Sequence, residues 1–316
     1  MPKPGGRKVF QESQKLGVVP PTVLDEDKAI EGRGEKGNCE MQMTVQSIFK
    51  RGFECMVLII LLNTALSGQS TVPAAADSEE LRKAAQNPVA SLISVPIQQN
   101  WNGGIGDHDR IQSVLNIQPV IPFSLNQHWN VITRWITPIV FQPIPETDAQ
   151  GYYGLGDLNP SFFLSPKKSK VIWGVGPTFL LPTATNTTFL GQGKLGIGPT
   201  VVVLVQPAKW TLGFLVNNIW SVVGHEDKPD VNQFLLQYFI NYNMDKGYYL
   251  TFQPTNTADW NAGEKWVVPV GGGIGRITKL GSQPVNINFQ VYGNVVHPTD
   301  KSPWKIVAQL AFLFPK

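Results

Sequence analysis

The sequence predicts an all-β fold: a transmembrane antiparallel β-barrel of about twelve strands, with N- and C-termini periplasmic. Three observations carry this. From residue 91 onward, apolar and polar residues alternate with period two, in runs near the roughly 9–11 residues that a tilted membrane strand needs. The connections between the runs alternate between short and long. The runs themselves set an apolar face against one rich in Asn and Gln, while charge gathers in the connections.

Composition agrees with one large β unit. The chain has 316 residues, 42% of them hydrophobic and 16% charged, and barrels of this kind run well past 200 residues as single domains. A net charge of +3, with no basic stripe interleaved with aromatics, argues against a nucleic-acid partner. Both cysteines, Cys39 and Cys55, precede the expected mature start, so no disulfide framework, CxxC zinc site or cysteine nucleophile is expected after it.

Residues 1–42 form a polar leader with a Gly/Glu/Lys-rich stretch, Glu31–Gly37. An export signal does not need it, and translation from Met41 or Met43 would give a conventional length; a real disordered leader is the alternative. Residues 43–76 read as a signal peptide. Lys50 and Arg51 flank a short apolar core, Cys55–Leu62, and Ala74–Ala76 supplies small residues before Asp77. That core is far shorter than the roughly 18 apolar residues of a spanning helix. Residues 77–90 are expected as a short periplasmic or plug segment, with a helix over 78–87 that ends before Pro88.

The barrel is expected over 91–316, its strands at 91–98, 110–123, 129–141, 152–164, 170–181, 194–206, 209–222, 231–243, 247–256, 265–277, 284–296 and 304–314. An even count returns both ends to one side. Turns near 124–128, 165–169, 207–208, 244–246 and 278–283 are short and face the periplasm; connections near 99–109, 142–151, 182–193, 223–230, 257–264 and 297–303 are the outer loops. The short turns and their edges hold Lys167, Lys168, Lys170, Lys209, Lys246 and Lys279, whereas Asp107, Glu146, Glu226, Asp227, Asp259 and Asp300 fall in outer loops. Such an acidic rim suits divalent cations shared with lipopolysaccharide, or is simply the charge of solvated loops. The last run, Trp304–Phe314, places Ile306, Ala308, Leu310, Phe312 and Phe314 on one face.

Alternation also selects the candidate lumen residues. Gln233, Gln237 and Asn241 oppose Phe234, Leu236, Tyr238 and Ile240; Asn286, Asn288, Gln290 and Asn294 oppose Val285, Ile287, Phe289 and Val291. Asn159 and the strand-borne charges Arg110, Arg134, Asp157 and Arg276 complete the set. Arg134 and Asp157, on neighbouring strands and both pointing inward, are expected either to pair structurally or to form a selective constriction. No chemistry-bearing motif competes. Gly271–Gly275 is followed by no helix pattern, and glycine in a strand marks a bulge or close approach. His108, His128, His225 and His297 fall in loops or turns with no metal-ligand spacing, and there is no GxSxG. No enzyme activity, metal or cofactor is expected.

Several stretches together resemble a known group: Asn116–Phe123, Gly154–Phe163, Gly174–Phe179, Leu181–Thr185, Leu215–Ser221, Asp230–Asn243 and Pro269–Arg276. They are similar to bacterial outer-membrane proteins labelled "neuromedin U" or transporter, related to the outer-membrane family of the MetA pathway of phenol degradation. The likeness spans residues 79–315, and residues 1–42 depart from it. It implies a Gram-negative outer-membrane location, reached with the barrel-assembly machinery, and transport of small solutes, with hydrophobic or aromatic ones suggested by the family name. The alternative is a structural or surface-interaction barrel with a plugged lumen.

Overall fold

The computed structural model describes residues 75–147 and 150–315; the leader over 1–42, and all of the 43–76 segment except Ala75 and Ala76, lie outside the described residues. The described part opens with helix α1 (Ala75–Ala85) and continues in strand segments, with one short 3-10 turn at Asp245–Gly247. These are β1 (Ile93–Ile105), β2 (Arg110–Ile117), β3 (Val120–Ser124), β4 (Trp129–Pro143), β5 (Gly151–Leu155), β6 (Asn159–Pro166), β7 (Ile172–Leu180) and β8 (Lys194–Val205). Then come β9 (Trp210–Gly224), β10 (Asn232–Asn243), β11 (Tyr248–Phe252), β12 (Thr255–Asp259), β13 (Trp266–Leu280), β14 (Gln283–Val296) and β15 (Trp304–Phe314).

Fifteen segments make twelve staves, because β2/β3, β5/β6 and β11/β12 are each one stave briefly interrupted. Pro119 and Pro254 lie at two of the interruptions; proline has no N–H to give to a ladder. Every pairing is antiparallel, and the ring closes. The first stave meets the last from Ile93↔Phe314 to Gly103↔Trp304, and β9 meets β10 along Trp220↔Asn232 to Trp210↔Tyr242. Closure leaves no sheet edge, the condition for β structure in hydrocarbon.

The pleat sorts the side chains. Phe214, Ile240, Ile274, Phe289, Val291 and Phe314 stand exposed on the outside, as a lipid-facing band requires. Aromatic pairs gather at both ends of that band: Trp129 against Trp173 and Trp210 against Tyr242 near the short turns, Phe234 with Trp260 and Trp266 near the outer loops. Amphipathic rings favour those two levels. Inward, the walls carry Asn, Gln, Thr and Ser.

The residues before β1 fill part of the interior. Gln86 donates from Nε2 to Asn243 Oδ1 at 2.8 Å and accepts from Thr211 Oγ1 at 2.8 Å. Gln206 Nε2 donates to the Lys83 carbonyl at 2.9 Å. These partners flank the turns after β8 and β10, so the segment lies at the short-turn end. Val89 then seats among Ile132, Phe163, Val202, Leu204, Leu215 and Phe239. Ala90 and Leu92 pack on Ala311 and Leu313, joined by Leu81 and Ala84 of α1. The lumen wall is therefore apolar where Val89, Ala90 and Leu92 rest, not amide-rich throughout.

Two further expectations are corrected. The outer loop expected over 99–109 shrinks to a turn over 106–109, because β1 runs on to Ile105. Asn102 and Gly103 look like turn residues, but they pair with Lys305 and Trp304, and the Trp304 indole covers the bare Cα of Gly103. Arg276 faces outward, in register with Tyr248, and its Cζ lies 4.7 Å from the Tyr248 ring centroid. Its inward neighbours are Gly275 and Ile277. An outward arginine against a tyrosine near the short turns is a cation–π pair at interface level, not a lumen group.

Candidate functional site

Two cavities lie in the interior among the described residues. The outer one, about 250 Å³, is bordered by Asn100, Asn102, Asn116, Asn159, Asn217 and Lys305 among others. The inner one, about 150 Å³, lies against the Ala84–Pro88 segment and is bordered by Tyr249, Gln253, Asn286, Asn288 and Gln309. Four residues border both: Gln98, Gln118, Arg134 and Gln237. They come from four different staves and lie at the boundary between the two spaces, here called the neck.

Three of the four, Arg134, Gln118 and Gln98, are linked in a hydrogen-bonded chain. Arg134 Nη2 donates to Gln118 Oε1 at 2.8 Å, Gln118 Nε2 to Gln98 Oε1 at 3.4 Å, and Gln98 Nε2 to Asn100 Oδ1 at 2.9 Å. Strand register sets this up. Arg134 lies opposite Val120 on one side and Ser161 on the other, and Gln98 lies opposite Asn116 and Gln309. Linked amides hold one another's orientation, which makes the neck a fixed array of donors and acceptors.

A second network stiffens the opposite wall. Tyr249 Oη donates to Asn286 Oδ1 at 2.7 Å, Tyr292 Oη to Gln290 Oε1 at 2.5 Å, and Gln290 Nε2 to Asn288 Oδ1 at 2.8 Å. Asn241 accepts from Gln253 Nε2 at 3.0 Å. The wall is crowded where these residues interlock.

The candidate residues thus separate into groups. Arg134, Asn159, Gln237, Asn286 and Asn288 border the cavities. Asn241 and Gln290 are buried within the wall networks. Gln233, Asn294 and Arg110 belong to the outer end: Asn294 Nδ2 donates to the Ser302 carbonyl at 2.6 Å, and Arg110 donates to the Thr147 and Gln150 carbonyls, which ties down the loop after β4. Arg276 is outside. Arg134 and Asp157 do not meet. Asp157 instead accepts the backbone N–H groups of Ala184 at 3.1 Å and Gln192 at 2.6 Å, and so holds the loop over 181–193. The expected pair fails on register: Ser161, not Asp157, lies opposite Arg134.

Lys305 is the charged cavity residue that sequence reasoning passed over. The signal was available, because Lys305 and Gln309 occupy the face of β15 opposite Ile306, Leu310 and Phe312. Asn100 and Asn102 were hidden by their assignment to a loop. Among the described residues, no cluster of His, Cys, Asp and Glu could hold a metal ion.

No family model matches the chain, and no curated protein matches its sequence. Solved structures do match. The COG4313 outer membrane channel from Pseudomonas putida F1 superimposes with a TM-score of 0.56 at 13% identity, over 71% of this chain and 94% of that one. That likeness shows a shared fold. A NanC porin (TM-score 0.45, 12% identity, 70% of this chain and 100% of that one) and the outer membrane phospholipase A of Escherichia coli (0.40, 10%, 70% and 92%) are more distant. The barrel architecture read from the sequence is thus the architecture observed.

Proposed function

We propose that this chain is an outer-membrane channel or transporter for small solutes and carries out no covalent chemistry. The observation that supports it best is the pair of polar cavities inside a closed barrel, which share Gln98, Gln118, Arg134 and Gln237 as lining. The apolar outer band and its aromatic girdles support residence in the outer membrane of a Gram-negative bacterium, reached by an export signal and barrel-assembly machinery, with lipid and lipopolysaccharide around the wall. Apolar lining beside the amides, including Ile136, Leu215 and Leu235, suits solutes with a hydrophobic or aromatic body. Solute moves down its gradient, so no cofactor is needed.

A second reading has its own observation. The Gln86 and Val89 contacts occupy part of the interior at the short-turn end, as they would in a plugged barrel that serves structure or surface interaction. Planar-bilayer recording separates the two. Discrete, salt-dependent steps from purified protein are expected of the channel; their absence at every salt concentration, with protein that still shifts on heating in gels, leaves the plugged barrel.

A further inference from the structure

We propose that the outer cavity is a binding site for a small organic monoanion, a carboxylate on an apolar body, held by Arg134 and Lys305. The proposal rests on the channel reading for its role in transport, and on the cavity alone for binding.

Two cations border one cavity of about 250 Å³, and no carboxylate borders it. No carboxylate borders the adjoining inner cavity either. Among the described residues, the ion pairs involve Arg82, Lys83, Lys194, Lys209 and Lys301; Arg134 and Lys305 are in none. Arg134 has only the neutral Gln118 oxygen, and Lys305 has no hydrogen-bonded partner among the described residues. Asp157, a buried carboxylate, is engaged by two backbone N–H groups of the 181–193 loop.

Another inward cation does have a carboxylate partner. Lys194, on the inner face of β8, lies 3.3 Å from Asp230. Two like charges facing one confined space repel each other and lose hydration, at a cost that an anion between them would reverse. The guanidinium offers a planar fork that matches a carboxylate, and the ammonium offers a point charge. The side-chain amides of Asn102, Asn116 and Asn217 add N–H donors. Val114, Ile136, Leu215 and Leu235 border the same space and would accept an apolar body, which selects against inorganic ions. The acidic outer loops lie in water, where salt screens them beyond about 8 Å.

The test uses the full-length protein, with Arg134→Gln, Lys305→Gln, their combination, and Arg134→Lys as the charge-conserving variant. In asymmetric KCl, the wild-type reversal potential is expected to show anion preference, to move toward zero in each Gln variant, and to be retained in Arg134→Lys. A conducting wild type that prefers cations, or a double variant that keeps its anion preference, overturns the proposal while the channel stands. If no conductance is seen, the channel reading fails, and binding alone decides. Equilibrium dialysis should then show benzoate bound at least about tenfold more tightly than uncharged benzamide, as expected for charge-assisted hydrogen bonds. That preference should vanish in the double variant. Equal binding of the two probes, or a preference that survives loss of both cations, would sink the site.

Discussion

Gly275 sits beneath the ring of Tyr249, so close that an added Cβ would stand 2.1 Å from the ring carbon Cζ. The Tyr249 hydroxyl in turn anchors Asn286 on the inner-cavity wall. Gly275→Val should therefore push the ring aside, break that hydrogen bond and cost about 1–3 kcal/mol, as overpacking does; a lowered urea midpoint in phospholipid vesicles would show it. Gly281, where an added Cβ meets nothing, is the control site, although its left-handed turn conformation means that Asn, not Val, is the fair substitution. Asp157 makes a different demand. Its carboxylate holds two N–H groups of the 181–193 loop, and Asp157→Ala leaves them without it. Faster proteolytic cutting within that loop is expected, with ion selectivity unchanged. A shift in reversal potential with an intact loop would return Asp157 to the conduction path.

At the scale of elements, the segment from α1 to Val89 is held by side chains that a strand pattern cannot announce. Gln86 is bound on both sides by Asn243 and Thr211, each more than a hundred residues away in sequence. Removal of residues 77–89 should open the lumen at the short-turn end, so single-channel conductance should rise. Unchanged conductance would show that the segment does not narrow the route. The staves themselves were legible, because lipid outside and amides inside impose a period of two that survives in one sequence, as β14 shows from Asn286 to Asn294. What failed to show was set by partners distant in the chain. Asn100 to Gly103 has the composition of a turn and becomes strand only because β15 and β2 supply its ladders. Arg276 was misplaced because a charged residue in an apolar strand suggests the lumen; its ring partner, Tyr248, comes from another stave. Of the site, Arg134 and Gln237 were read from alternation, whereas the neck they form with Gln98 and Gln118 depends on how four staves converge.

For the whole molecule, the decisive property is which face meets lipid, and two adjacent residues can report it. Asn288 borders the inner cavity, whereas Phe289, the next residue of β14, stands exposed on the outside opposite Ile274 and Ala308. Both lie near the middle of a strand that runs from Gln283 to Val296. An arginine placed toward the hydrocarbon midplane costs about 2–4 kcal/mol, whereas a lumen position pays no such penalty. Phe289→Arg should thus destabilise the barrel by that amount in vesicle-based urea unfolding, and should lower the temperature at which its folded band is lost on gels. Asn288→Arg pays no lipid penalty; it gives up the hydrogen bond from Gln290, worth about 1 kcal/mol, and should come out below Phe289→Arg by the same measure. The contrast matters more than either value: a soluble β-sandwich or barrel would take an arginine on its exposed face without penalty and suffer from one in its core. If Asn288→Arg proved the costlier change, inside and outside would be exchanged, and with them the membrane assignment and the lumen site built upon it.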